Sequence, residues 1–160
     1  MTNPKLKTLD ELKPIVAAEK KRGARIIFAN GCFDVLHVGH IRYLQQAKAL
    51  GNYLVVGLNS DRSVLRLKGP GRPILDQQAR AYLLAALECV DAVVIFQDDT
   101  VDHLLIELEP HFHCKGSDYT PETVPEKETV KKYGGSTSIT GGEKVQSTRW
   151  LFEEIRRRFS

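Results

Sequence analysis

The chain reads as an α/β protein: a doubly wound, mostly parallel sheet with helices on both faces. Three observations predict this. Short β-branched and aromatic runs alternate with amphipathic segments along the 160 residues, the rhythm of successive β-α-β units. Runs such as "YLVVGLNSD" and "DAVVIF" are apolar at nearly every position rather than at alternate ones, as strands covered on both faces must be. Polar and turn-forming residues gather just after these runs, at the carboxyl ends of the strands, where open α/β sheets bind their ligands.

Taken in order, Thr8 to Arg22 is the first helix, with Thr8 and Glu11 spaced as a capping box and Gly23 as its stop. Pro14 inside it is expected to bend it. "RIIFAN" is the first strand. "HIRYLQQAKALG" carries Ile41, Leu44, Ala47 and Leu50 at helical spacing, starting at His40 and ending at Gly51. "YLVVGLNSD" is the second strand, and the following stretch from Asn59 to Pro73 is expected to be a flexible cationic loop. "DQQARAYLLAAL" is helical, "DAVVIF" is a strand, and "TVDHLLIELEP" is a helix closed by Pro110. "HFHCKGSDY" runs from a strand into a loop, "ETVPEKETVKKYGG" is a helix interrupted by Pro125, "STSIT" is a last strand, and "STRWLFEEIRRRF" is the final amphipathic helix.

No repeat or linker divides the chain, so residues 1–160 are expected to form one domain: an N-terminal helix over 1–23 and a core with its C-terminal helix over 24–160. Apolar content of 42% and charged content of 27% are those of an ordinary globular chain. A net charge of +3 is too slight to argue for nucleic acid and suits phosphorylated small molecules. Cys32, Cys89 and Cys114 are scattered and odd in number, as free thiols in a reducing compartment are. "MTNPKLKTLDELK" lacks the apolar core of a signal peptide and no segment reaches the length of a membrane span. A cytoplasmic protein without a membrane partner is expected, and its amphipathic helices are compatible with a homodimer.

The strand ends decide the chemistry. After the first strand come Asn30, Asp34, His37, Gly39 and His40. Gly39 permits close approach of backbone, and His40 opens a helix whose free N–H groups favour an anion. Two imidazoles there make a phosphate site; ordinary capping and packing histidines are the plainer alternative. A zinc site recruiting Cys32, His113 and Cys114 matches no standard spacing. Asn59 and Asp61 follow the second strand, with Lys68 and Arg72 around a Gly-Pro-Gly as a cationic segment able to close on phosphates. Arg80 lies on the next helix, where a surface arginine is the plain reading. Lys115, Gly116, Asp118 and Tyr119 cluster after the fourth strand, and Ser147 and Thr148 open the last helix, where an N-cap and a phosphate grip share one geometry. Neither a Ser-His-Asp order nor a G-x-G-x-x-G or Walker loop is present.

"GCFDVLHVGH" resembles the H-x-G-H signature of the nucleotidyltransferase superfamily that includes the cytidylyltransferases. "VVGLNSDRSVLRLKGPGRPI", "CVDAVVIF", "KGSDYTPE" and the "ST" before the last helix follow in that superfamily's order. Within it, the chain resembles most the D-glycero-β-D-manno-heptose 1-phosphate adenylyltransferases, which are often fused to a sugar kinase; a stand-alone version is expected. The resemblance implies a Rossmann-like fold, with ATP and a sugar 1-phosphate as substrates, Mg²⁺ accompanying the nucleotide, and ADP-heptose for the lipopolysaccharide core as the product. It implies catalytic roles for His37, His40, Lys68 and Arg72. Nucleotide contacts are implied from Cys32, Phe33, Gly39, His40, Arg80, Lys115, Gly116, Asp118, Tyr119, Ser147 and Thr148. Sugar-phosphate contacts are implied from Asp34, Asn59, Asp61, Lys68 and Arg72.

The chain departs from the pattern where Gln146 and Arg149 flank Ser147 and Thr148, and where "GGSTSITGGEKVQ" is more polar than the strand expected there. Two alternatives stand beside this reading: a cytidylyltransferase acting on glycerol 3-phosphate or a similar small phosphate, and a nucleotide-binding module without turnover.

Overall fold

A computed structural model describes residues 3–160. Its elements are α1 (Leu9–Lys21), β1 (Ile26–Gly31), α2 (Val38–Lys48), β2 (Tyr53–Asn59), α3 (Asp61–Lys68), α4 (Gln77–Ala85), β3 (Ala92–Phe96), α5 (Asp102–Leu108), β4 (Phe112–Lys115), α6 (Lys127–Lys132), β5 (Ser136–Ile139) and α7 (Thr148–Phe159). The strands form one sheet in the order β3-β2-β1-β4-β5. Every pairing in it is parallel. The chain reverses its direction of strand addition between β1 and β4, so the crevice beyond the carboxyl ends of those two strands is the expected ligand address.

The two-sided apolar runs are explained by two cores. In β1, Ile27 and Ala29 face α2 and α4, packing with Leu44, Ala47, Ala81 and Leu84. Ile26 and Phe28 face the other way, onto Leu12 and Val16 of α1, Leu105 of α5 and Val130 of α6. Each fully buried aliphatic side chain contributes about 1.5–3 kcal/mol relative to exposure. Gly57 of β2 makes room for this packing, because a Cβ there would meet Phe28 Cζ at 2.7 Å. β5 lies at the sheet edge, and its residues are exposed or half-buried. That position accounts for its polar composition, since an edge strand need not be apolar on both faces.

Local signals hold where side chains meet their own backbone. The Thr8–Glu11 capping box forms, with Thr8 N–H donating to Glu11 Oε2 at 2.8 Å. α1 runs through Pro14, as one helix. The structure differs from expectation at three places. α2 begins at Val38, because the imidazole of His37 serves as its N-cap. α5 ends at Glu109, which turns left-handed at φ 43°, before Pro110 is reached; Lys20 Nζ donates to the carbonyls of Leu108 and Glu109. Residues 61–68, expected as loop, are helix α3, started by Ser60 Oγ accepting from Ser63 N–H and stopped by Gly69 at φ 88°. Only Ser63 and Val64 of α3 are buried, so its apolar stripe is too thin to announce a helix by periodicity.

Candidate active site

Beyond the ends of β1 and β4 opens a cleft of ≈ 740 Å³. The chain enters it from β1 through Phe33 and Val35, both left-handed at φ 48° and 55°. Such conformations cost energy for residues with a Cβ and persist where surrounding contacts hold them. Phe33 is held by its ring, edge-on to His40 at 5.4 Å and stacked on Tyr43 at 6.2 Å between centroids.

His37 and His40 stack at 3.8 Å between ring centroids. Gly39 N–H donates to His37 Nδ1 at 3.1 Å, and His37 N–H reaches toward His40 Nδ1 at 3.4 Å. With both Nδ1 atoms accepting, the proton of each neutral ring sits on Nε2, so each presents an Nε2–H donor. Burial pushes the His40 pKa down to about 3, aided by the neighbouring His37; burial, then the charge of Lys144, lowers that of His37. Both imidazoles are therefore neutral donors near pH 7 before a ligand arrives. Gly39 is required by space: a Cβ there would stand 2.9 Å from the carbonyl oxygen of Gln146 and 2.9 Å from His37 Cε1. This close approach brings the start of α7 against the histidines.

α7 is fixed at its first turn. Ser147 Oγ accepts from Trp150 N–H at 3.1 Å, and Thr148 Oγ1 donates to the Asp34 carbonyl at 2.9 Å. Helix geometry leaves the N–H groups of Thr148 and Arg149 without intrahelical partners at the cleft, suited to an anion. Arg149, a departure from the family pattern, itself lines the cleft.

Across from α7, Asp34 is 2% exposed and accepts from Arg72 Nε at 2.9 Å, Ile74 N–H at 2.8 Å and Leu75 N–H at 3.0 Å. Burial raises its pKa, but those two amides and the Arg72 guanidinium outweigh it and hold the carboxyl below its ordinary range. Arg72 also lies over the Phe152 ring at 5.0 Å. Lys68, at the last turn of α3, is exposed at the rim. On the far side, Lys115 Nζ sits 4.6 Å over the Tyr119 ring and Asp118 pairs with Lys144 at 2.6 Å. At the floor, buried His113 contacts Asn30 Oδ1 through Nε2 at 2.8 Å. Burial, then Lys115, holds the His113 pKa down to about 3. The neutral ring thus donates Nε2–H and orients the Asn30 amide.

The cleft gathers Cys32, Phe33, Asp34, His37, Gly39, His40, Asn59, Lys68, Arg72, Lys115, Gly116, Asp118, Tyr119, Ser147 and Thr148 from the sequence expectations. Two of those expectations are corrected. Arg80 is neither a surface arginine nor a cleft residue: it is 0% exposed. It donates to the carbonyls of Leu75, Cys32 and Asn59 and to Asp61 Oδ1, at 2.7–2.9 Å. With its donors spent on protein it clamps the strand ends instead of touching a nucleotide. Asp61, its partner, lies outside the cleft lining. Asp34 lines the cleft, and three of the roughly four acceptor positions of its carboxylate are taken by protein donors, which fix Arg72 beside it.

Cys32, His113 and Cys114 do not form a zinc site; among the described residues no group of three or more His, Cys, Asp or Glu is placed to hold a metal. Asn30, Lys144 and Arg149 also line the cleft, each in a segment that follows a strand or leads into the last helix; Glu126 lines it too and was not expected there.

A family model described as cytidylyltransferase-like matches residues 28–157. The bifunctional protein HldE of Pelobacter propionicus is 50% identical over 159 residues, which are 99% of this chain and 33% of that protein. The HldE protein of Geotalea uraniireducens is 53% identical over 155 residues, 97% of this chain and 32% of that protein. The chain thus spans about a third of the length of these curated relatives. Among solved structures, a lipopolysaccharide core biosynthesis protein from Thermoplasma volcanium is 32% identical with a TM-score of 0.61, the match covering 73% of this chain and 94% of that one. A pantoate-β-alanine ligase from Francisella tularensis, 15% identical with a TM-score of 0.66 over 96% of this chain and 76% of that one, shares the fold. Among the described residues, no helix is long and apolar enough to cross a membrane.

Proposed function

The chain belongs to the cytidylyltransferase-like family of nucleotidyltransferases, and from that premise we propose that it transfers AMP from ATP to D-glycero-β-D-manno-heptose 1-phosphate, yielding ADP-heptose and pyrophosphate. The observation that carries the reading is the stacked pair His37 and His40, both neutral, both locked through Nδ1, facing the open first turn of α7 across Gly39. Two fixed donors beside free helix N–H groups form a site for a polyphosphate. The heptose part rests on the HldE relatives and the lipopolysaccharide core protein.

In this reaction an oxygen of the sugar phosphate attacks the α-phosphorus as the bridge to the β-phosphate breaks, and its electron pair leaves with pyrophosphate. The attacking phosphate is already ionised, so the residues have to position and neutralise charge rather than remove a proton. The Nε2–H groups of His37 and His40 stabilise charge developing at the α-phosphate. Ser147 and the first N–H groups of α7 hold the β- and γ-phosphates. Arg72, whose Nε is held by Asp34, offers its terminal nitrogens to the acceptor phosphate, with Lys68 beside it at the rim. The Lys115–Tyr119 turn borders the nucleoside.

Mg²⁺ is expected to arrive with the triphosphate. The carboxylates here make no cage for it: Asp34 already accepts three protein hydrogen bonds, Asp99 pairs with Arg66, Asp118 pairs with Lys144, and Glu126 is part of no group of three or more His, Cys, Asp or Glu placed to hold a metal among the described residues. Its ligands would be phosphate oxygens and water, and no step is assigned to it.

The test is pyrophosphate release with Mg²⁺, crossing ATP and CTP against heptose 1-phosphate and glycerol 3-phosphate. Turnover confined to ATP with heptose 1-phosphate is the expected outcome. Turnover only with CTP and glycerol 3-phosphate would replace this reading with the cytidylyltransferase one, and nucleotide binding without any pyrophosphate release would make the chain a binding module.

A further inference from the structure

One polar group in the cleft has no part in the phosphate grip. Glu126 lines the cleft beside Pro125, Lys115 and Thr140. It is 3% exposed, and its buried Oε2 has no hydrogen-bond partner. It occupies the N-cap position of α6, yet its side chain does not cap that helix.

Three donors that line the cleft with it are committed elsewhere. The Tyr43 hydroxyl, close enough for the Glu126 charge to bear on its ionisation, donates its proton to the Cys114 carbonyl at 2.6 Å. Thr140 Oγ1 donates to the Tyr43 carbonyl at 3.3 Å, and Lys115 lies against the Tyr119 ring. Buried carboxylates in native proteins are hydrogen-bonded, and an unmatched one calls for a partner from outside the protein.

We infer that Glu126 is a specificity-determining residue that accepts a hydrogen bond from the exocyclic amine of the bound nucleobase. The inference rests on the nucleotide site proposed above. A carboxylate repels phosphate, so Glu126 belongs to the nucleoside end of the ligand, away from His37, His40 and Ser147. It lies on the β4–β5 side of the cleft, opposite Lys68 and Arg72 on the β2 side, where the acceptor phosphate is placed. Adenine and cytosine both present an amine next to a ring nitrogen. Guanine and uracil present a carbonyl at the corresponding position, which would set acceptor against acceptor. Glu126 therefore selects amino over oxo bases, and a site that hydrogen-bonds a ligand group rejects the analogue that lacks it.

The experiment is calorimetric binding to the full chain, without acceptor. The ligand pairs are ATP with purine riboside triphosphate, which lacks only the 6-amino group, and CTP with pyrimidin-2-one riboside triphosphate, which lacks only the 4-amino group. The unmodified chain should bind the amino member of the pair it accepts about 10- to 100-fold more tightly, the range of a hydrogen bond to a charged group. Glu126→Leu should bring the two members to near-equal affinity. Glu126→Gln, which keeps the size and a neutral acceptor, should leave a ratio of about threefold.

Equal binding of both members by the unmodified chain overturns the inference without recourse to variants, as does an undiminished ratio in Glu126→Leu or Glu126→Gln. A loss of discrimination seen only with 2′-deoxy- or 3′-deoxy-ATP would move the contact to the ribose and overturn it too. Failure of the unmodified chain to bind either ATP or CTP would instead remove the nucleotide site itself.

Discussion

The two walls of the cleft are built by opposite means. On the β1 side almost every polar group is tied to protein: Asp34 accepts three hydrogen bonds, Arg80 donates four, and both imidazoles take a backbone N–H on Nδ1. On the α7 side the helix buries none of its residues, and Ile155 and Phe159 are exposed. Its ion pairs run along the helix itself, Arg149 with Glu153 and Glu154 with Arg157 and Arg158, and just before it Lys144 pairs with Asp118. The first wall fixes geometry before any ligand is present, which is how donors come to stabilise developing charge without reorganising. The second offers N–H groups and cations on a helix joined to the body mainly at its first turn.

The contrast predicts where stability resides. Asp34→Ala leaves Arg72 unpaired and two amides without acceptors, and Arg80→Leu strands three carbonyls and Asp61. Each leaves two or three hydrogen-bonding backbone groups without partners and is expected to cost about 3–5 kcal/mol in sum. Arg149→Ala on the opposite wall should stay within about 0.5 kcal/mol, as surface substitutions do. Urea unfolding of the three variants measures this. An Asp34→Ala protein as stable as Arg149→Ala would remove the distinction between the walls.

What could be read from sequence divides along the same line. His37, His40 and Ser147 were legible because their work is local, caps and helix starts that lie within a few residues; Gly39 was legible from its place between the histidines, although the backbone it approaches is that of Gln146. The clamp made by Arg80 and the hold of Asp34 on Arg72 were not legible because their partners are distant in the chain. Asp34 meets residues 38 to 41 positions away, and Arg80 reaches Cys32 across 48 positions. Nothing in "QARAY" distinguishes a clamp from a surface arginine. Glu126 was hidden for the same reason, its burial being set by strands that approach only in the fold. The α3 helix carried its caps, Ser60 and Gly69, in plain sight, but its charged composition resembled loop. The order of strands and helices survived because apolar runs covered on both faces are a property of each segment alone.

The fixed wall is also where catalysis should be most sensitive. His37→Ala is expected to lower kcat about 10²- to 10³-fold while ATP still binds, the effect of deleting one oriented donor. Single-turnover rates alongside calorimetric ATP affinity separate the two quantities. Unchanged turnover would return His37 to a capping role alone. Lys68 stands at the exposed rim without a fixed partner, so Lys68→Ala should raise the KM for the sugar phosphate by about tenfold, about 1.4 kcal/mol, and leave stability unchanged. If KM and kcat both held, the end of α3 would be surface only.

The smallest expected effect compares two helix caps of the same geometry. Asp76 caps α4 by accepting from Ala79 N–H at 2.8 Å, and Ser147 caps α7 by accepting from Trp150 N–H at 3.1 Å. Ser147 lines the cleft and Asp76 does not. Removing either cap should cost about 1 kcal/mol of stability. Ser147→Ala should in addition weaken triphosphate binding about fivefold, because its hydroxyl proton remains free to reach a phosphate oxygen while its lone pair caps the helix. Asp76→Ala should leave nucleotide affinity where it was. Equal affinities in the two variants would mean that the start of α7 holds phosphate through its backbone alone.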